Sequence, residues 1–214
     1  MRRTGKLLLT ALLLVGFATA VDAQVGTNQG LLNPNVATAE ELGSVPGLGA
    51  DLEAAVLAGR PFLDIASLDA LLAESLTPDQ RSSVYRLLWI PIDIDRSSQE
   101  SILLIPGVGA RMTHEFEEYR PYRSSGALAR FRREIGKYVA DDEVARLEQY
   151  IFVPMNLNTA SEDDFMTIPG VGRRMTHEFL EYRPYGSLDQ FRREIGKYVD
   201  DAEVARLERY MTLD

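Results

Sequence analysis

Three stretches of this sequence combine residue types that present backbone donors. Ile105-Pro106-Gly107-Val108-Gly109-Ala110-Arg111-Met112 recurs as Ile168-Pro169-Gly170-Val171-Gly172-Arg173-Arg174-Met175, and more weakly as Val45-Pro46-Gly47-Leu48-Gly49-Ala50-Asp51-Leu52. Proline stops an incoming helix, and glycine admits the positive φ that so short a link between helices demands. The apolar residue between the glycines can drop into the core and pin the two helices. Outside remain bare amides at a helix N-terminus, a ready site for an anion such as phosphate. The chemistry on offer is therefore non-covalent. Amides around Gly107, Val108 and Gly109, and around Gly170, Val171 and Gly172, would bind phosphate oxygens, with charge from Arg111, Arg173 and Arg174.

A weaker group of candidates surrounds these. Gly47 and Gly49 repeat the backbone pattern, but Asp51 stands where Arg111 and Arg174 stand. Arg132, Arg133 and Lys137, with their copies Arg192, Arg193 and Lys197, form a second basic cluster that could reach an opposite strand. Each feature also has a purely structural reading. Tight turns need glycine whether or not anything binds. Arg111 and Arg174 can pair with Glu115 and Glu178 four residues on, and the second cluster with Glu134 and Glu194.

Catalysis lacks a constellation. The chain has no cysteine, no glycine-flanked serine nucleophile and no Walker-type lysine, so no enzyme activity and no cofactor is expected. His114 and His177 each precede a glutamate at helical spacing, too few ligands for a metal and better read as helix-face ion pairs. Tyr119 and Tyr182 fall on apolar stripes and read as core, and Arg120 and Arg183 as caps on helix carbonyls.

The elements that must position these residues repeat. A first unit is expected over 33–91: Thr38 and Glu41 make a capping box, Leu48, Leu52 and Val56 a helical stripe, and Pro61 a stop. Two more helices, around Ser67 to Glu74 and from Pro78 to Leu88, complete it, with Trp89 closing the core. A second unit over 92–154 follows the same plan, with Val108, Met112, Phe116 and Tyr119 as the stripe. The third, 155–214, nearly copies it: between Ile105–Tyr122 and Ile168–Tyr185 only Ala110/Arg173 and Glu117/Leu180 differ. No alternating β-branched run occurs. The class expected is all-α: three tandem units of about four short helices each.

The N-terminus reads differently. Arg2, Arg3 and Lys6 precede an apolar run from Leu7 to Phe17, then Val21-Asp22-Ala23 before Gln24. That is the pattern of a cleaved signal peptide over 1–23, with Ala18-Thr19-Ala20 as the competing cleavage site and an uncleaved anchor as the alternative. Residues 24–32 read as a flexible lead. Without Arg2, Arg3, Lys6 and Asp22, the 23 basic and 32 acidic side chains become 20 and 31, a formal charge near −11. Such a charge repels polyanions at long range, so affinity for one would depend on local clusters. An exported protein, periplasmic or secreted and with no stable membrane insertion after cleavage, is expected.

A short helix, Pro-Gly-apolar-Gly, a second helix and then Arg-Pro-aromatic resemble the helix-hairpin-helix (SAM-like) motif. The lead Asn156-Leu157-Asn158-Thr159-Ala160 narrows the likeness to the ComEA-like family of bacterial competence DNA receptors. The resemblance covers the chain beyond the leader in three copies. It implies sequence-independent binding of double-stranded DNA through hairpin amides and adjacent arginines, with DNA uptake as the setting. It also implies a second, pseudo-symmetric hairpin, for which Ile135-Gly136-Lys137 and Ile195-Gly196-Lys197 are the candidates. Similar hairpin domains elsewhere make protein contacts. The alternative is a cell-envelope interaction or scaffold module that binds an envelope protein and no DNA. Leu180, apolar where Glu117 stands, is a candidate contact between units or with a partner.

Overall fold

The computed structural model describes residues 30–122 and 126–214. The expected signal peptide, residues 24–29 of the lead and residues 123–125 lie outside the described residues. Within them the fold is all-α, and its helices follow in three successions of four. The first set comprises α1 (Ala39–Gly43), α2 (Gly49–Ala58), α3 (Ile65–Ala73) and α4 (Pro78–Val84). The second comprises α5 (Gln99–Leu103), α6 (Ala110–Glu118), α7 (Ala127–Ile135) and α8 (Asp141–Glu148). The third comprises α9 (Glu162–Met166), α10 (Arg173–Glu181), α11 (Leu188–Ile195) and α12 (Asp201–Glu208). No helix among the described residues is long and apolar enough to cross a membrane.

Capping side chains set most helix starts. Thr38 and Glu41 form the expected reciprocal box at α1, and Ser98 and Ser161 cap the matching helices α5 and α9. Thr77 opens α4 with a second box through Gln80, Pro78 filling the first turn where its missing N–H costs nothing. The third helix starts earlier than expected, at Ile65, because Asp64 accepts the Ser67 N–H at 2.7 Å. The fourth ends at Val84 rather than Leu88, the chain turning there so that Leu88 and Trp89 point into the core.

Each set is closed by its own ends, pairing in parallel. Leu32 bridges Leu88, β1 (Ile92–Asp93) pairs with β2 (Ile151–Phe152), and β3 (Met155–Asn156) with β4 (Met211–Thr212). These two-residue strands escape any search for alternating runs. They satisfy backbone groups that a buried chain crossing would otherwise leave unpaired.

A second closure holds the lead turn against the end of the second helix, and it explains the Asn-x-Asn pattern. Asn33, Asp93 and Asn156 accept the amide two residues on. Asn35 then accepts from the Phe62 amide at 2.7 Å and donates to the Phe62 carbonyl at 2.9 Å. Asn158 does the same to Tyr185 at 2.7 and 3.0 Å, while Asp95 accepts the Tyr122 amide at 2.6 Å. The arginine before each cis proline completes the clamp. Arg120 donates to the carbonyls of Ile94 and Ser97, and Arg183 to those of Leu157 and Ala160. These arginines therefore bind lead-turn carbonyls instead of the helix carbonyls expected from sequence, because the chain folds back beside the turn.

Buried side chains divide into two clusters. The first and second sets share one, continuous from Ala37 to Val153. Trp89 lies at the join, its indole donating to the Tyr150 carbonyl at 2.9 Å and its ring edge-on to Tyr150 at 5.1 Å. The third set has its own cluster, around Phe165, Phe179 and Phe191. Leu180 packs against this cluster, so the Glu117/Leu180 difference serves the third set's own core. Arg209, the counterpart of Gln149, ties the third set back by donating to the Pro91 carbonyl at 2.6 Å. Its guanidinium lies over Phe152 and Tyr210 at 5.2 and 5.0 Å.

Candidate nucleic-acid interface

The Pro-Gly-apolar-Gly links are tight turns between the first and second helices of each set. Val108 donates to the Ile105 carbonyl and Val171 to that of Ile168, both at 3.0 Å, and Leu48 to that of Val45 at 3.2 Å. Contrary to expectation, the Val108 and Val171 amides close the turn and are not offered to a ligand. The first glycine is left-handed in every copy: Gly47 at φ +87°, Gly107 at +84° and Gly170 at +80°. The second glycine separates the copies. Gly109 and Gly172 are extended, at φ −112° and −111°, and begin α6 and α10. Gly49 instead has φ +66°, so the first turn coils into α2 by a different path. The first hairpin thus differs from the others in backbone as well as in carrying Asp51.

No side chain caps α6 or α10, whereas Thr38, Asp64, Thr77, Ser98, Ser161, Ser187 and Asp200 cap seven of the other helices among the described residues. Gly107, Gly109, Gly170 and Gly172 are exposed, as are Arg111, Arg173 and Arg174, while Val171 is buried and Val108 half-buried. None of these three arginines is held by an ion pair or side-chain hydrogen bond among the described residues. The pairs Arg111–Glu115 and Arg174–Glu178 do not form. Glu115 turns inward and is buried, and both glutamates keep one carboxylate oxygen buried without a hydrogen-bond partner.

Glu115 interacts with one member of a tyrosine pair, Tyr138. Tyr119 and Tyr138 share a hydrogen bond of 2.9 Å, and Tyr182 and Tyr198 one of 2.8 Å. Lys137 and Lys197 lie over Tyr119 and Tyr182 at 5.0 and 4.8 Å. Hydrogen bonding with Tyr119 and then with Glu115 raises the Tyr138 pKa, and Tyr182 and Glu178 do the same to Tyr198. Tyr119 and Tyr182 are half-buried at this surface pair, less deep than a core stripe would place them.

The second basic cluster is neutralised. Arg132 grips Glu148 through Nε and Nη2, both at 2.6 Å, and Arg192 grips Glu208 identically. Arg133 and Lys137 share Glu134, and Arg193 and Lys197 share Glu194. Only Arg133, Lys137 and their copies thus meet the expected glutamate; the long Arg132 and Arg192 side chains reach the next helix instead. Lys137 first, then Arg133, holds the Glu134 carboxyl below its ordinary range, and Lys197 and Arg193 do so for Glu194.

Nor is there a second hairpin of the same geometry. Gly136 and Gly196 sit at φ −61° and −60°, ordinary helical backbone. The helices that follow open on acidic residues, Asp141, Asp142 and Glu143 in α8 and Asp201 and Glu203 in α12, which would repel phosphate.

His114 and Glu118 lie 3.6 Å apart and His177 and Glu181 3.7 Å, on exposed helix faces. Among the described residues no three ligand-type side chains gather to hold a metal.

Three neighbours of the hairpins were not legible in the sequence. Arg146 and Arg206, from α8 and α12, lie beside Gly107 and Gly170. Val36, from the lead turn of the first set, lies against Gly170, its Cγ1 2.7 Å from where a side chain there would begin. The second hairpin instead borders a cleft of about 240 Å³ against α4, lined by Arg81, Tyr85, Leu103, Pro106 and Gly107. The arginines recur at matching positions, a signal available in the sequence, but nothing local to α8 or α12 says that a hairpin lies above them. No protein-family model, curated protein or solved structure matches this chain.

Proposed function

We propose that this is a non-enzymatic, exported tandem helix-hairpin-helix protein, akin to the ComEA-like receptors, that binds double-stranded DNA without sequence preference. The observation that carries this is the pairing of two uncapped, exposed helix starts with unpaired arginines. Gly107–Arg111 and Gly170–Arg174 have the same backbone, uncapped helix starts and free guanidinium groups, with only the Val108 and Val171 amides already bonded inside the turn. The other clustered cations are already held by glutamates. Amide and guanidinium contacts of this kind reach phosphates and not base edges, so affinity would be uniform across sequences and steeply salt-dependent. DNA uptake across the cell envelope is the setting that fits an exported protein with this chemistry.

The test is an electrophoretic mobility shift with random duplex DNA across a salt series. Binding at low salt that weakens as salt rises supports the reading, and Arg111→Glu with Arg174→Glu should abolish it. No shift at low salt ends it. A second reading, an envelope scaffold that binds protein, is favoured by the contact of Val36 on Gly170 and by the acidic balance. It predicts no shift with any duplex.

A further inference from the structure

Beneath each of the two hairpins lies an arginine from the fourth helix of the same set. Arg206 is 2% exposed. Its Nε and Nη2 hold Glu203 at 2.6 Å, and its Nη1 donates to the Pro169 carbonyl at 2.8 Å. Nη2 lies 3.4 Å from where a side chain on Gly170 would begin. Arg146 occupies the same place under Gly107, holding Glu143 at 2.6 and 2.7 Å, with Nη2 3.5 Å from the corresponding point. Two contacts differ: Arg146 Nη1 is buried with no acceptor, and the Arg146 guanidinium lies over the Tyr150 ring at 5.5 Å.

The pairs with Glu143 and Glu203 are contacts within one helix, three residues apart, and need no hairpin. The bond to Pro169 spans 37 residues and fixes the turn to α12. The turn offers few other handles, since proline donates nothing and glycine has no side chain to pack. A planar guanidinium can hold a carboxylate on one edge and a carbonyl on another, which a lysine ammonium cannot do in the same geometry.

We propose that Arg206, and Arg146 in the second set, are positioning residues of the hairpins, fixing each turn from beneath so that its outward amides are ordered before an anion arrives. The third hairpin is the more firmly held, because only Arg206 completes the bond to the proline carbonyl. Ordering a site in advance removes part of the cost of binding. The consequence for affinity rests on the duplex-binding reading above; the fixing of the turn does not.

The experiment uses the full chain with Arg206→Met, Arg206→Lys and, because Arg206 is deeply buried, Arg146→Met as the variant at a more exposed site. Amide hydrogen exchange reads the turn itself. In the unaltered protein the Val171 amide should be better protected than the Val108 amide. Arg206→Met should speed Val171 exchange about tenfold, the loss of one charge-assisted hydrogen bond, while the Phe191 amide stays slow. Duplex affinity should then fall about tenfold with both Arg206→Met and Arg206→Lys. The slope of log affinity against log salt should not change, whereas Arg174→Gln should lower it by about one phosphate contact.

Unchanged Val171 exchange in Arg206→Met and unchanged Val108 exchange in Arg146→Met overturn the positioning role. Full affinity in Arg206→Lys alone would assign the effect to charge and overturn it too. Faster turn exchange in a protein that binds no duplex leaves the positioning intact and defeats the functional reading instead.

Discussion

Arg132 holds Glu148 through two hydrogen bonds of 2.6 Å, from one helix to the next, and thereby leaves the pool of cations free to meet a ligand. The same bond recurs between Arg192 and Glu208. Arg111 and Arg174, close by in sequence, hold nothing. Arginines of one composition thus divide into those that keep the fold and those open to solvent.

That division predicts a dissociation between stability and binding. Arg132→Met leaves Glu148 buried and unpaired and should cost about 1–2 kcal/mol, between the values for exposed and buried pairs. Arg111→Met removes no ion pair or side-chain hydrogen bond and should stay within about 0.5 kcal/mol. Duplex binding should order them the other way. Urea unfolding and mobility shift on the same two variants check this, and equal stability losses would sink the assignment.

Within one hairpin the two glycines should respond differently to alanine. Gly170 has φ +80° and Val36 lies where its side chain would begin, so Gly170→Ala should cost at least about 1–2 kcal/mol. Gly172 has φ −111° with open space around it, so Gly172→Ala should be nearly neutral in urea unfolding. A large loss at Gly172 would mean the turn is held otherwise.

The lead-turn clamp makes a graded prediction. Asn158 both accepts from and donates to the Tyr185 backbone, so Asn158→Ala should destabilise by about 1–3 kcal/mol. Asn158→Asp, the residue type that position 95 carries, keeps the accepted bond and loses the donated one. Its loss should fall between those of wild type and Asn158→Ala in a denaturant titration.

Acid should destabilise the protein. Lys137 and Lys197 lower the pKa of Glu134 and Glu194, and the Thr38 amide lowers that of Glu41. A carboxyl with a lowered folded-state pKa contributes stability above its unfolded value, and loses it as pH falls through the folded value. Burial raises the Asp93 pKa, which opposes the trend at one site. Melting temperature should therefore hold above about pH 5 and fall below about pH 4.5. Glu134→Gln with Glu194→Gln should lower the plateau and flatten the fall. A melting temperature constant down to pH 3 would contradict the assignment.

Much of the hairpin could be read from residue types. Pro106-Gly107 and Pro169-Gly170 dictate a turn through their own backbone limits, and Thr38 with Glu41 dictates a helix start within four residues. The Asn-x-Asn lead was legible as a turn, but its grip on Phe62 and Tyr185 was not, because those partners lie 27 residues away. Glu115 was misplaced for a related reason: spacing puts it beside Arg111, and only the packing of α6 shows that it faces inward.

The sequence by itself determined the all-α class, the turn at each Pro-Gly pair and the near identity of the second and third sets, since these follow from local backbone restrictions and direct repetition. Tertiary structure alone decided which cations remain free. Helical periodicity says that Arg111, Arg132 and Arg146 lie on polar faces, but not which face meets a neighbouring helix. Packing gave Arg132 to Glu148, placed Arg146 and Arg206 beneath the hairpins, and set Val36 on Gly170. Arg111, Arg173 and Arg174 were left open beside uncapped amides.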